Sequence, residues 1–111
     1  MSYDNENIFA KILRDEIPCD KIYEDEYVLS FRDINPQAKT HVLIIPKSSY
    51  IDIADFLQNA DIQYQTNFWQ SVNKIIDKLD LRLNGFQIKT HKGKDGGQEV
   101  FHFHLHLLSE S

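Results

Sequence analysis

Apolar residues recur along this chain with two different periods. Ile8, Phe9, Ile12 and Leu13 fall at helical spacing, which predicts a short helix ending near Asp15, ahead of Ile17-Pro18. Asp20 to Glu24 and Tyr27 to Asp33 read as two strands about an acidic turn at Asp25-Glu26, a hairpin. Asn35-Pro36 breaks the pattern, and His41-Val42-Leu43-Ile44-Ile45, closed by Pro46, reads as a central strand. From about Asp61 to Leu79 the helical period returns. Phe68, Trp69, Val72, Ile75, Ile76 and Leu79 form its stripe, with Asn73, Lys74, Asp77 and Lys78 facing out. Trp69 is assigned to the core. Gly85 precedes Phe86-Gln87-Ile88-Lys89-Thr90, which alternates as a strand. The loop His91 to Gln98 then leads into the apolar run Val100 to Leu108, so these last two strands are expected to pair antiparallel.

The order α, β, β, β, α, β, β gives an α+β domain over residues 1–111, with a mostly antiparallel five-stranded sheet and two helices. Residues 1–7 are polar and are expected to form a flexible N-terminus. A hydrophobic fraction of 41% with 26% charged residues is ordinary for a globular protein. Seventeen acidic residues against twelve basic ones argue against a nucleic-acid polymer as partner, although a local loop can still hold a small anion. The lone Cys19 cannot form an internal disulfide and reads as a bystander. With no apolar stretch of membrane-spanning length, a cytoplasmic setting is expected.

The last run carries the chemistry. His102, His104 and His106 alternate with Phe101, Phe103, Leu105 and Leu107, so a strand here would line one face with imidazoles and bury the other. Buried imidazoles are costly unless they are hydrogen-bonded, which points to an active site. Three readings follow. A metal could take two adjacent histidines and a ligand such as His41, but at about 3.3 Å per residue His102 and His106 lie roughly 13 Å apart, too far to share one ion. The set could be purely structural. Or a neutral imidazole could attack phosphorus, one ring nitrogen free and the other donating a hydrogen bond that fixes the tautomer. The glycine-rich loop Gly93-Lys94-Asp95-Gly96-Gly97-Gln98 could then present backbone N–H groups to the phosphate.

His102-Phe103-His104-Leu105-His106-Leu107-Leu108 resembles the histidine-triad signature. Ile8-Phe9-Ala10-Lys11-Ile12, Glu16-Ile17-Pro18, Phe31 to Ala38 and Thr40 to Lys47 resemble, in order and spacing, the Hint branch of that family, the histidine-triad nucleotide-binding proteins. The resemblance runs from about residue 7 to 108. It implies a HIT-like fold, a homodimer whose two sheets join, and a purine nucleotide pocket. It also implies hydrolysis of nucleoside phosphoramidates or acyl-nucleotides, with no metal or other cofactor. By motif position, His104 would be the nucleophile and His102 would orient it through its backbone carbonyl, while His106 and His41 would contact phosphate. Asp33 would accept the ribose hydroxyls. Ile8, Phe9, Ile12, Ile17, Phe31, Ile34 and Leu43 would form the base slot. Gln98 and the N–H groups of Glu99 and Val100 would lie at the α-phosphate or its leaving group. From its position alone, Asp33 also reads as a turn residue ahead of Asn35-Pro36.

The chain departs from that pattern in places. His91 stands where Hint-type proteins usually carry asparagine, and Glu99 where some carry serine. The sequence ends at Ser109-Glu110-Ser111, where relatives continue into a tail that reaches the other subunit's site. The competing functions are a nucleotide-binding regulator with weak catalysis, a dinucleoside polyphosphate hydrolase and a metalloprotein.

Overall fold

The structure is a computed structural model that describes residues 2–111. The elements run α1 (Ile8–Leu13), β1 (Lys21–Glu24), β2 (Val28–Arg32), β3 (Thr40–Pro46), α2 (Ile53–Asn59), α3 (Ile62–Lys78), β4 (Gln87–Lys89) and β5 (Leu105–Ser109). The five strands form one sheet in the order β1-β2-β3-β5-β4, every pair antiparallel. The expected α+β sheet is therefore present, and α2 adds a helix to the two read from the sequence.

Each helix begins on a side-chain cap. Asn7, Asp52 and Asp61 accept the N–H groups of Ala10, Asp55 and Tyr64, satisfying donors that the first turn leaves free. Helix α2 escapes the periodicity because it buries only Phe56 along its length. Helices α1 and α3 end alike. Asp15 (φ 62°) and Asp80 (φ 58°) take the left-handed position, and paired bonds from Asp15 and Glu16, and from Asp80 and Leu81, close back onto the last turn.

Alternation on the strands sends side chains to two unequal layers. Val28, Val42, Ile44, Leu105 and Leu107 meet α2 and α3 through Phe56, Phe68, Val72, Ile75 and Ile76. Phe56, Phe68 and Phe103 cluster there with ring centroids 4.8–5.5 Å apart. On the opposite face, Leu29, Phe31, Leu43 and Ile45 meet Phe9 and Ile12 of α1. That layer covers only part of the sheet, and the rest is open.

Two expectations are corrected. Trp69 is 39% exposed, its indole lying edge-on to Phe68 at the rim of α3 instead of in the core. In the described part of the N-terminal segment, Tyr3 is seated against His102, and Asn7 caps α1. The histidine run is not one continuous strand, because β5 begins only at Leu105. Ahead of it the Phe103 N–H donates to the Tyr50 carbonyl at 2.7 Å, and the Thr90 hydroxyl donates to the His104 carbonyl at 2.7 Å. These bonds draw the segment away from the regular ladder.

Candidate active site

The uncovered part of the α1 face is a cavity of about 880 Å³. Its apolar end is lined by Ile8, Phe9, Ile12, Ile17, Phe31 and Leu43, with Ile34 on the rim and almost fully exposed. Its polar end is lined by Asp33, His41, His91, Glu99, His104 and His106, with Val100 beside them. Two residues expected at the site lie outside this lining. His102 is fully buried behind it, and Gln98 is buried in the loop wall.

Hydrogen bonds assign the proton on each buried imidazole. The Nε2–H of His102 donates to the Pro46 carbonyl at 2.9 Å, so Nδ1 carries the lone pair and accepts the Tyr3 hydroxyl at 2.6 Å. The Nδ1–H of His104 donates to the His102 carbonyl at 2.7 Å, which leaves Nε2 as a lone pair. Phe9 holds the His104 ring edge-on, with centroids 4.9 Å apart. His41 accepts the Gln37 N–H on Nδ1 at 3.0 Å, so its proton is on Nε2. That Nε2–H lies 3.0 Å from Nδ1 of His106 and 3.3 Å from Asp33 Oδ2. With Nδ1 of His106 accepting, its own proton sits on Nε2.

Burial favours the neutral form of His102, His104 and His106. Burial lowers the His102 pKa to about 4, against the opposing pull of its bond to Pro46. Burial also lowers His106 to about 4, assisted by His104, His41 and His91 nearby. His104 is lowered for the same first reason. The result is an unprotonated Nε2 on His104 beside an N–H donor on His106, with ring centroids 5.1 Å apart.

Asp33 serves two ends. Oδ1 accepts the Asn35 N–H at 2.8 Å, the turn contact its position suggests, while Oδ2 faces His41. Among the described residues, Asp33, His41 and His106 are also the group that could hold a cation, their ligand atoms lying within 4.8 Å of one another. A cation there would displace the proton that His41 now shares.

The glycines and Gln98 of the loop turn their N–H groups onto the loop itself. Gly96 donates to Gly93, Gly97 to Lys94 and Gln98 to Gly93, while Gly93 donates to Oε1 of Gln98. Nε2 of Gln98 donates to the carbonyls of Ile51 and Val100, stapling the loop to the segment after β3. Gly96 permits the tight winding: a Cβ there would lie 2.3 Å from the Lys92 carbonyl oxygen. Its own carbonyl accepts Nδ1–H of His91 at 2.9 Å, which sets the His91 ring 5.5 Å from His106. Among the described residues, no backbone acceptor takes the N–H groups of Glu99 or Val100. Sequence reasoning missed two contributors. Tyr3 lies in a stretch with no periodicity, and Gln37 acts only through its backbone.

The chain is similar in sequence and fold to known proteins. Residues 14–111 match the HIT domain. The purine nucleoside phosphoramidase of Escherichia coli strain K12 is 40% identical over 103 residues, covering 93% of this chain and 86% of that protein. The structure of a HIT family hydrolase from Legionella pneumophila superposes with a TM-score of 0.86 at 39% identity, covering 96% and 94% of the two chains. A histidine triad nucleotide-binding protein from Candida albicans gives 0.80 at 35% identity, with 92% and 73% covered. Sequence, sheet order and the clustered imidazoles thus converge: the chain belongs to the HIT, or histidine triad, family.

Proposed function

We propose that the protein hydrolyses purine nucleoside 5′-phosphoramidates, and related acyl-nucleotides, through a nucleotidyl-histidine intermediate on His104. One observation carries this reading: the Nδ1–H of His104 is fixed on the His102 carbonyl, so the Nε2 lone pair is presented at a cavity wall. Attack by Nε2 on the α-phosphorus forms a nitrogen–phosphorus bond as the bond to the leaving amine breaks. The departing amine takes a proton from solvent, while Nε2–H of His106, backed by His41, hydrogen-bonds to it as it leaves. Water then attacks the phosphorus and releases a proton to solvent as the bond to His104 breaks. The net reaction consumes one water and releases a nucleoside monophosphate and an amine.

The remaining residues divide by chemistry. Asp33 accepts the ribose hydroxyls in charge-assisted bonds, the stronger kind. Ile8, Phe9, Ile12, Ile17, Phe31, Ile34 and Leu43 form a flat apolar slot suited to a purine. The N–H groups of Glu99 and Val100 are the donors for the phosphate oxygens, and His91 stands on the leaving-group side. Gln98 supports them from behind.

The assembly proposed for this activity is a homodimer joined through β4. That strand is at a sheet edge, its three residues are exposed, and the exposed Phe86 and Ile88 lie on it or beside it. Light scattering on a sizing column checks this directly, since a monomeric mass would refute it.

Hydrolysis of adenosine 5′-phosphoramidate, with and without a chelator, tests the proposed activity. Turnover that resists chelation and is absent in His104→Ala is the expected result. Turnover abolished by chelator would shift the chemistry to a cation on Asp33, His41 and His106. Tight binding of AMP with no turnover would make the protein a nucleotide binder instead.

A further inference from the structure

Tyr3 and His102 are 99 positions apart, yet the tyrosine hydroxyl lies 2.6 Å from His102 Nδ1 and the two rings meet edge-on at 5.6 Å. His102 does not reach the cavity. It is fully buried, with Nε2–H on the Pro46 carbonyl, Nδ1 on Tyr3 and its own carbonyl on Nδ1–H of His104. The ring therefore has one tether to the end of β3 and one to the N-terminal segment. Its backbone carbonyl is the group that fixes the His104 tautomer.

We propose that Tyr3 is a positioning residue, acting through His102 to hold the carbonyl that orients His104. Without the hydroxyl, Nδ1 of His102 is an unpaired buried acceptor, and a buried group left so is costly. The ring can satisfy it only by flipping or by drawing in water. Flipping exchanges the Pro46 tether, and either change moves the backbone carrying the carbonyl. A displacement there lengthens the His104 bond and lets Nδ1 and Nε2 exchange roles, so a fraction of molecules would present a proton where a lone pair is needed. Phe9 lies edge-on to both rings, at 6.4 Å from His102 and 4.9 Å from His104, and limits rotation without supplying a hydrogen bond. The N-terminal segment thereby becomes part of the catalytic apparatus.

The effect on rate rests on the phosphoramidase reading, but the effect on the rings does not. The test is Tyr3→Phe, which keeps the ring contact and removes only the hydroxyl. Side-chain nitrogen NMR of His102 and His104 is recorded beside steady-state kinetics on adenosine 5′-phosphoramidate. In the variant we expect the His102 Nδ1 resonance to move to that of an unbonded acceptor and the His104 Nδ1–H to exchange faster with water. We also expect kcat to fall roughly 3–10-fold, the scale of one neutral hydrogen bond, with KM within about twofold. His102 and His104 resonances identical to wild type overturn the proposal, as do shifted resonances with unaltered kcat. A wild type with no turnover refutes the phosphoramidase reading alone, and the His104 exchange rate then decides the role of Tyr3.

Discussion

Val42 and Ile44 point to one side of β3, His41 and Leu43 to the other, and the two sides have different fates. The first pair is fully buried under α2 and α3, in a layer closed by Phe56, Phe68 and Phe103. The second is covered only where α1 reaches, and beyond α1 the same strand becomes the floor of a cavity. The closed face needs only apolar volume, so its residues are interchangeable in chemistry but not in size. The open face holds imidazoles in fixed tautomers, which demands a partner for every ring nitrogen facing protein. No buried side-chain nitrogen or oxygen among the described residues lacks one. Stability and reactivity are thus assigned to opposite sides of the same strands.

That contrast can be broken from either side. His104→Ala should lower turnover on the order of 10³-fold or more, as removal of a nucleophile does, at a stability cost of about 1–3 kcal/mol from the orphaned His102 carbonyl. Single-turnover kinetics and urea unfolding on the same sample check both numbers. Phe68→Ala is the mirror experiment. Emptying a fully buried aromatic site should cost roughly 3–5 kcal/mol, while kcat per folded molecule stays within about threefold. Gly96→Ala attacks the open face through its frame: the added Cβ meets the Lys92 backbone, and the loop that seats His91 must shift. Turnover about tenfold lower or worse is expected, with a changed preference among amine leaving groups.

Acid sharpens the comparison further. The pKa values of His102 and His106 are held at about 4 in the folded protein, against about 6.5 when unfolded. Between those values the unfolded chain binds more protons, so stability rises with pH through this window and is complete above the unfolded value. As pH falls from about 6.5 toward 4, His102 alone should remove up to about 1.4 kcal/mol per pH unit. Replacing His102 with asparagine should flatten that slope in urea titrations. The smallest effect belongs to neither face: Asp80→Gly relieves the left-handed residue after α3 and should gain about 0.5–1 kcal/mol.

The two faces also differed in how much of them the sequence revealed. The closed face was legible because packing leaves a period: Phe68, Val72, Ile75 and Ile76 of the α3 stripe, the β3 run, and Phe103, Leu105 and Leu107 of the last alternation are buried as expected, while Phe101 and Leu79 are half-buried. Trp69 failed because it lies at the margin of its stripe, where one residue's rotation separates core from rim. Helix α2 failed because one buried side chain makes no period. On the open face, residue types were legible but contacts were not. The spacing of the histidines implied one shared face, whereas the bonds at Phe103 and His104 put His102 behind the wall. His41, 65 positions from His106, reaches it only through the pairing of β3 with β5, a register fixed by the whole sheet. The three-glycine loop looked like an anion cradle, and its N–H groups turned out to hold the loop itself together.

The central claim is that Nε2 of His104 is the nucleophile of the open face. It is tested most directly by mass spectrometry of protein quenched in base during a single turnover of adenosine 5′-phosphoramidate. An adenylyl adduct on the peptide containing His104, appearing and decaying at the rate of AMP release and absent in His104→Ala, is the predicted result. AMP formed without any adduct, or an adduct on another histidine, would contradict it.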